Sequence, residues 1–235
     1  MPLKHALALV PITLAATISI AQQGVSKTEI LVGTIQDMSG PLAAFGKQAR
    51  FGMQLRIDEL NEQGGVHGRK LKLLLEDSGY DPKKAVLGAQ KLVNQDKIFI
   101  MAGHVGTAQN NAAMPVQFEK NVINFLPITA ARDMYEPYHR LKYSFAVTKY
   151  NEDPGVVSIY GYQIIDTLIR AAQKAGPTLT TDSFIKAMDS LTVPADIFGS
   201  AEVTFSATKR LGTDASRLSQ IQDGRWRVIS EYVKP

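Results

Sequence analysis

The chain has 235 residues, 45% of them hydrophobic and 20% charged, and it carries no cysteine. That is an ordinary globular composition, long enough to bury one substantial core or two small ones, and it excludes both disulfides and a thiol nucleophile. The net charge of +4 is spread along the chain, and its densest cluster, Arg69, Lys70 and Lys72, reads as a solvated strand edge rather than a nucleic-acid contact.

Residues 1–21 have the pattern of a secretory signal peptide. Lys4 and His5 precede an uncharged run over residues 6–20, and Ser19-Ile20-Ala21 places small residues where a signal peptidase cuts, ahead of Gln22. The run is interrupted by Pro11 and is too short for a membrane anchor. No cysteine follows Ala21 to take a lipid, so the expectation is a cleaved, periplasmic protein.

Residues 29–36 are apolar and β-branched and end in Asp37-Met38-Ser39-Gly40-Pro41, which predicts a buried parallel strand followed by a loop. Ala49, Met53, Ile57 and Leu60 recur at helical spacing, and Gly64-Gly65 stop that helix. Residues 70–76 read as a second strand. Asp81 then serves as N-cap to a helix with Pro82 at its first position and a core stripe of Val86, Ala89 and Val93. A strand over 98–102 opens onto Gly103-His104-Val105-Gly106-Thr107, and a helix over 108–120 leads to a strand over 122–126. This βαβαβαβ order predicts an α/β fold with a parallel, doubly wound sheet covered on both faces. Farther along, a helix over 155–175 carries the stripe Val157, Gly161, Ile164, Leu168 and Ala172 and ends at Gly176-Pro177. A second helix is expected over 181–190. Residues 218–232 read as a β-hairpin turning at Asp223-Gly224, with Trp226 as a cross-strand packing residue.

In open parallel sheets ligands bind at the carboxyl ends of the strands. Three loops occupy such ends here, over residues 37–45, 103–107 and 128–132, each small, polar or glycine-containing. The helix entered at Thr107-Ala108 offers backbone N–H groups to an anion. Two readings stand side by side: a ligand cradle, or turn glycines with Thr107 as a plain N-cap. Other chemistry has no handle, since no phosphate loop, nucleophile elbow or zinc-protease motif occurs. Of the histidines, His5 leaves with the signal, and His67, His104 and His139 lie far apart. Only His104 falls on a candidate loop, where it reads as a turn or hydrogen-bonding residue rather than a metal ligand or base. The paired acids Asp58-Glu59 and Glu76-Asp77 read as solvated or capping. No cofactor, metal site or catalytic residue is expected.

Val32-Gly33-Thr34, then Met38-Ser39-Gly40-Pro41 with Phe45-Gly46, Asn61 through Gly65, Gly68-Arg69, Glu76-Asp77 with Asp81-Pro82, and Gly103-His104 form an ordered set. That set resembles the leucine/isoleucine/valine-binding proteins of ABC importers, the type I periplasmic solute-binding fold. Gly106-Thr107-Ala108-Gln109-Asn110 looks like the Gly-Thr-Pro-Thr-Asn variant of relatives that take other small carboxylic or amide solutes, with Ala108 departing from the Pro. Asp153-Pro154, Tyr160-Gly161-Tyr162, Ala175-Gly176 with Leu179-Thr180, Val203-Thr204-Phe205 and Asp223-Gly224 are similar to the tail of the same family. The resemblance implies lobe one over 27–148, returning helices that complete it over 149–205, and a C-terminal hairpin remnant of lobe two over 206–235. Thr148 runs directly into Lys149 and the return crossing, so a middle segment on the order of 100–150 residues, the bulk of lobe two, is expected to be absent.

Carried over by position, the implied ligand contacts are Ser39, Phe45, Thr107, Ala108, Thr129 and Ala130, with Phe45 as an aromatic wall and the threonines holding a carboxylate. The expected function is non-enzymatic binding, weak or absent, of an amino acid or related small carboxylate or amide solute, serving ABC transporter membrane subunits. The alternatives are an interaction module that homodimerises or pairs with an intact paralogue, and an enzyme on a doubly wound fold.

Overall fold

The computed structural model describes residues 22–129, 144–145, 157–196 and 200–233, the last stretch apart from positions 211, 214, 217, 223 and 224. The expected signal peptide, the turn at Asp223-Gly224, and Ala130 and His139 lie outside the described residues. The elements in order are β1 (Glu29–Gln36), α1 (Ala43–Glu62), β2 (Lys70–Asp77), α2 (Pro82–Gln90), β3 (Ile100–Ala102), α3 (Thr107–Glu119), β4 (Ile123–Phe125), β5 (Ser144–Phe145), α4 (Val157–Ala175), α5 (Thr181–Met188), and the short strands β6 (Thr192–Val193), β7 (Val203–Thr204), β8 (Ser219–Gln222) and β9 (Arg225–Val228).

The first five strands form one parallel sheet in the order β2-β1-β3-β4-β5. Helices cover both faces, and strand alternation sorts the side chains between them. Ile30, Val32, Ile100 and Ala102 face a core with Met53 and Ile57 of α1, Ile164 and Leu168 of α4, and Phe184 of α5. Ile35 and Met101 point the other way, against Ala85 and Ala89 of α2, Leu92 and Val93 just after it, and Ala113 of α3. Phe184 meets Phe99 and Phe125 edge-on, at centroid separations of 5.9 and 5.6 Å. Such pairs contribute about 0.5–1.5 kcal/mol beyond their buried area.

Local details follow from particular residues. Asp81 caps α2 by accepting from Lys83 and Lys84 N–H, but Ala85 rather than Val86 leads its fully buried face, and Val86 is half-buried. The helix widens into a π turn over Lys91–Gln95. There Ile98 N–H donates to Leu92 carbonyl and the Gln23 amide donates to the Val93 and Ile98 carbonyls. Those bonds use Ile98 to close the helix exit, so β3 starts two residues later than the apolar run. β2 is an edge strand with Lys70 and Lys72 exposed. β8 and β9 pair antiparallel as a separate two-stranded sheet, with Ile221 opposite Trp226 in register. No helix of the described residues is long and apolar enough to cross a membrane.

Candidate ligand cavity at the strand ends

The sheet order reverses between β1 and β3, and the loops after both strands open on the same side, at the switch point where such sheets bind ligands. The loop after β1 is organised by Asp37, whose Oδ1 accepts from Gly40 N–H at 2.5 Å and whose Oδ2 accepts from Leu42 N–H at 2.6 Å. Asp77 at the end of β2 braces it, accepting from Met38 and Gly79 N–H at 2.8 Å each. Desolvation acts to raise the Asp77 carboxyl, but the hydrogen bond from Ser39, the Met38 and Gly79 N–H groups and the charge of Lys84 together hold it below the usual carboxylate range.

The loop after β3 is pinned from beneath by α3. Asn110 Nδ2 donates to the His104 and Gly106 carbonyls at 2.8 and 2.7 Å, and Asn124 Nδ2 reaches Asn110 Oδ1 at 3.2 Å. Gly106, the N-cap of α3, sits at φ 98°, and a Cβ there would come within 2.2 Å of Gln109 Oε1, so the turn requires glycine. Gln109 Nε2 in turn donates to the Tyr80 carbonyl at 2.5 Å and holds Tyr80 at φ 60°.

Backbone bonds then lay the loop after β4 beside the loop after β3: Ile128 N–H donates to the His104 carbonyl at 2.9 Å, and Gly106 N–H to the Ile128 carbonyl at 3.0 Å. This brings the hydroxyls of Thr107 and Thr129 within 2.8 Å of each other. Thr107 is therefore the first helical residue of α3 and not its N-cap; Gly106 holds that position, without a side-chain cap. His104 is wholly buried, neither ring nitrogen has a partner among the described residues, and desolvation pushes its pKa down to about 3. It is a buried, neutral residue of the loop after β3; of the two expectations, turn residue or hydrogen-bonding side chain, the second is not met among the described residues.

Above these loops lies a cavity of about 1040 Å³. Phe45, Thr107 and Thr129 line it, whereas Ser39 and Ala108 are exposed elsewhere and are not part of its wall. The sequence reading missed the opposite wall. α4 supplies Tyr160, Gln163, Ile164 and Thr167, and the segment around β6 and β7 supplies Val193, Asp196, Val203 and Phe205. These residues are far from the loops in sequence, and although Tyr160, Val203 and Phe205 fall in stretches that carry the family resemblance, nothing in those stretches marks them as cavity wall. Tyr80, Leu42 and Ile128 complete the sides. The two lining acids are engaged: Asp166 pairs with Arg56 and Arg170 at 3.0 and 2.6 Å, and Asp196 accepts from Gln163 Nε2 at 2.6 Å and from Ser200 N–H at 3.1 Å. No group of three or more His, Asp or Glu able to hold a metal occurs among the described residues.

Residues 29–148 match the family described as periplasmic binding protein. The chain belongs to that family. Among curated members of known name, it is 35% identical over 127 residues to the Leu/Ile/Val-binding protein BraC3 of Rhizobium johnstonii, covering 52% of this chain and 34% of the relative. It is 31% identical over 122 residues to the Leu/Ile/Val-binding protein of Escherichia coli K12, covering 52% and 33%. The chain thus spans about a third of the length of the curated relatives it matches. Among solved periplasmic binding proteins, a possible leucine/isoleucine/valine-binding protein from Rhodopirellula baltica superposes with a TM-score of 0.70 at 12% identity, over 86% of this chain and 96% of the other. The leucine binding protein LivK of Thermotoga maritima gives 0.66 at 11% identity, over 88% and 99%. At these identities the likeness establishes the fold alone.

Proposed function

We propose that this chain is an exported, non-enzymatic solute-binding protein that presents a single-lobe half-site to an amino acid or related small carboxylate or amide solute, for delivery to ABC transporter membrane subunits. The observation that carries the reading is the Thr107–Thr129 hydroxyl pair, at the N-terminus of a 13-residue helix and on the wall of the large cavity. Hydroxyls and helix N–H groups converging on one point suit a carboxylate. The relatives' names supply the solute class, and the family's export supports a periplasmic location.

Sequence matches that cover about a third of each curated relative support a middle segment shortened relative to two-lobed members. Half of the contacts of a micromolar site, about 4 of roughly 8 kcal/mol, correspond to millimolar affinity. Calorimetry or NMR titration with small carboxylates tests this. Thr107→Val, which keeps the shape and deletes the hydroxyl, should abolish the binding. Unchanged binding in that variant would place the site elsewhere.

A second reading, an interaction module, is favoured by the hairpin. Ile221 and Val228 on the two-stranded sheet, and Leu218, Ile229 and Val233 beside it, are 51–64% exposed, and the sheet has no third strand among the described residues. Two-stranded sheets are marginal alone, and exposed apolar edges associate.

A further inference from the structure

The size and lining of the cavity say more about its occupant than the threonine pair does. The cleft is about half open to solvent, and its volume of about 1040 Å³ leaves room for a body much larger than a single branched side chain. Most of the lining is apolar; among its polar side chains Arg170 is paired with Asp166, Gln163 with Asp196, and the Thr107 and Thr129 hydroxyls meet at the N-terminus of α3. Phe45, Tyr80, Ile128, Ile164, Val203 and Phe205, drawn from five separate stretches of chain, surround the remaining space.

An amino acid also needs a partner for its ammonium group. Asp166 and Asp196 are the only carboxylates among the described lining residues. Asp166 already takes two guanidinium groups, and each oxygen of Asp196 already accepts a hydrogen bond. Bringing an ammonium to either would compete with existing charge-assisted bonds, and elsewhere the described lining offers it no other anionic partner, only neutral side chains such as Tyr160 and Ser200 and the like charge of Arg170.

Resting on the solute-binding reading, we propose that the cavity takes a monocarboxylate with a bulky apolar body, an alkanoate or aryl-alkanoate, in preference to a free amino acid. The carboxylate sits at the Thr107–Thr129 end, and the hydrocarbon lies along the wall made by α4 and by β7 with the residue after it.

Calorimetric titration of the full chain with acetate, butanoate, hexanoate, octanoate and decanoate tests the proposal, alongside leucine and its desamino analogue 4-methylpentanoate. Affinity should rise by about fourfold for each added methylene out to octanoate or beyond, with one site per chain. 4-Methylpentanoate should bind at least about tenfold more tightly than leucine, and Thr107→Val should weaken octanoate by a similar factor. A series that levels off at butanoate, or leucine matching 4-methylpentanoate, overturns the proposal. If leucine binds as tightly as 4-methylpentanoate and Thr107→Val abolishes that binding, solute binding stands and only the ligand class falls. If octanoate binding is unaffected by Thr107→Val, or no acid binds, both fall. The series on the unaltered chain needs no variant to fold.

Discussion

Gly161→Ala probes the contact that positions the cavity's far wall. Gly161 of α4 faces Gly52 of α1, and the two helices touch there backbone to backbone. A Cβ on Gly161 would lie 2.0 Å from the Ala49 carbonyl oxygen, and one on Gly52 would lie 1.8 Å from that of Ser158. The obstacle is main chain, so no side chain can swing aside. Restoring ordinary contact at 3.4 Å requires the helices to part by about 1.4 Å.

That movement loosens the packing of Met53 and Ile57 against Ile164 and Leu168, all buried in the same core. A gap of 0.5–1 Å already forfeits a quarter to a half of each dispersion well. Overpacking of this kind costs about 1–3 kcal/mol, and the main-chain clash puts Gly161 at the upper end. Replacing a mid-helix glycine returns up to about 1 kcal/mol of propensity. The net expectation is a destabilisation of about 2 kcal/mol, a fall in Tm of roughly 4–8 °C for a chain of this size. Urea and thermal unfolding followed by circular dichroism measure it. The double variant Gly52→Ala with Gly161→Ala should cost clearly less than the two single costs together, because one separation makes room for both methyl groups. A Gly161→Ala protein as stable as the parent, or strict additivity in the double variant, refutes the reasoning.

His104 makes stability depend on pH in one direction. Its folded pKa of about 3 lies below the unfolded value near 6.5, so the unfolded chain gains a proton that the native one refuses. Stability should be full above pH 6.5 and fall by up to about 1.4 kcal/mol per pH unit as pH drops below it. His104→Phe should remove that slope between about pH 6.5 and 4.5, and an unaltered slope in denaturant titrations would show that another group governs it. For the hairpin, sedimentation should show self-association that Ile221→Ser with Ile229→Ser reduces while circular dichroism keeps the helical signal; a stable monomer of the unaltered chain sinks the interaction reading. Export predicts that intact-mass measurement of protein secreted by a Gram-negative host begins at Gln22, and a retained 1–21 segment contradicts it.

The sequence by itself determined the sheet and its covering helices. The apolar, β-branched run over 29–36, the strand over 70–76, helical stripes such as Ala49-Met53-Ile57-Leu60, and the caps at Asp81 and Gly176 are local signals, each legible within a short stretch of chain. Their order βαβαβαβ then leaves few topologies, and the three loops at the strand ends follow from that order. Boundaries slipped where a long-range bond competed with local preference, as at Ile98, which closes the π turn instead of opening β3. Only the tertiary structure decided that Thr107 and Thr129, 22 residues apart, share a hydrogen bond. It alone decided that His104 lies buried and neutral, and that α4 and the β6–β7 segment wall the cavity. None of those residues carries a pattern that marks its role. Their positions are set by which helix packs on which face and by carbonyls such as those of Ala49 and Ser158 meeting glycine across an interface. That information resides in pairs of residues roughly a hundred positions apart, and no window of the sequence contains both members.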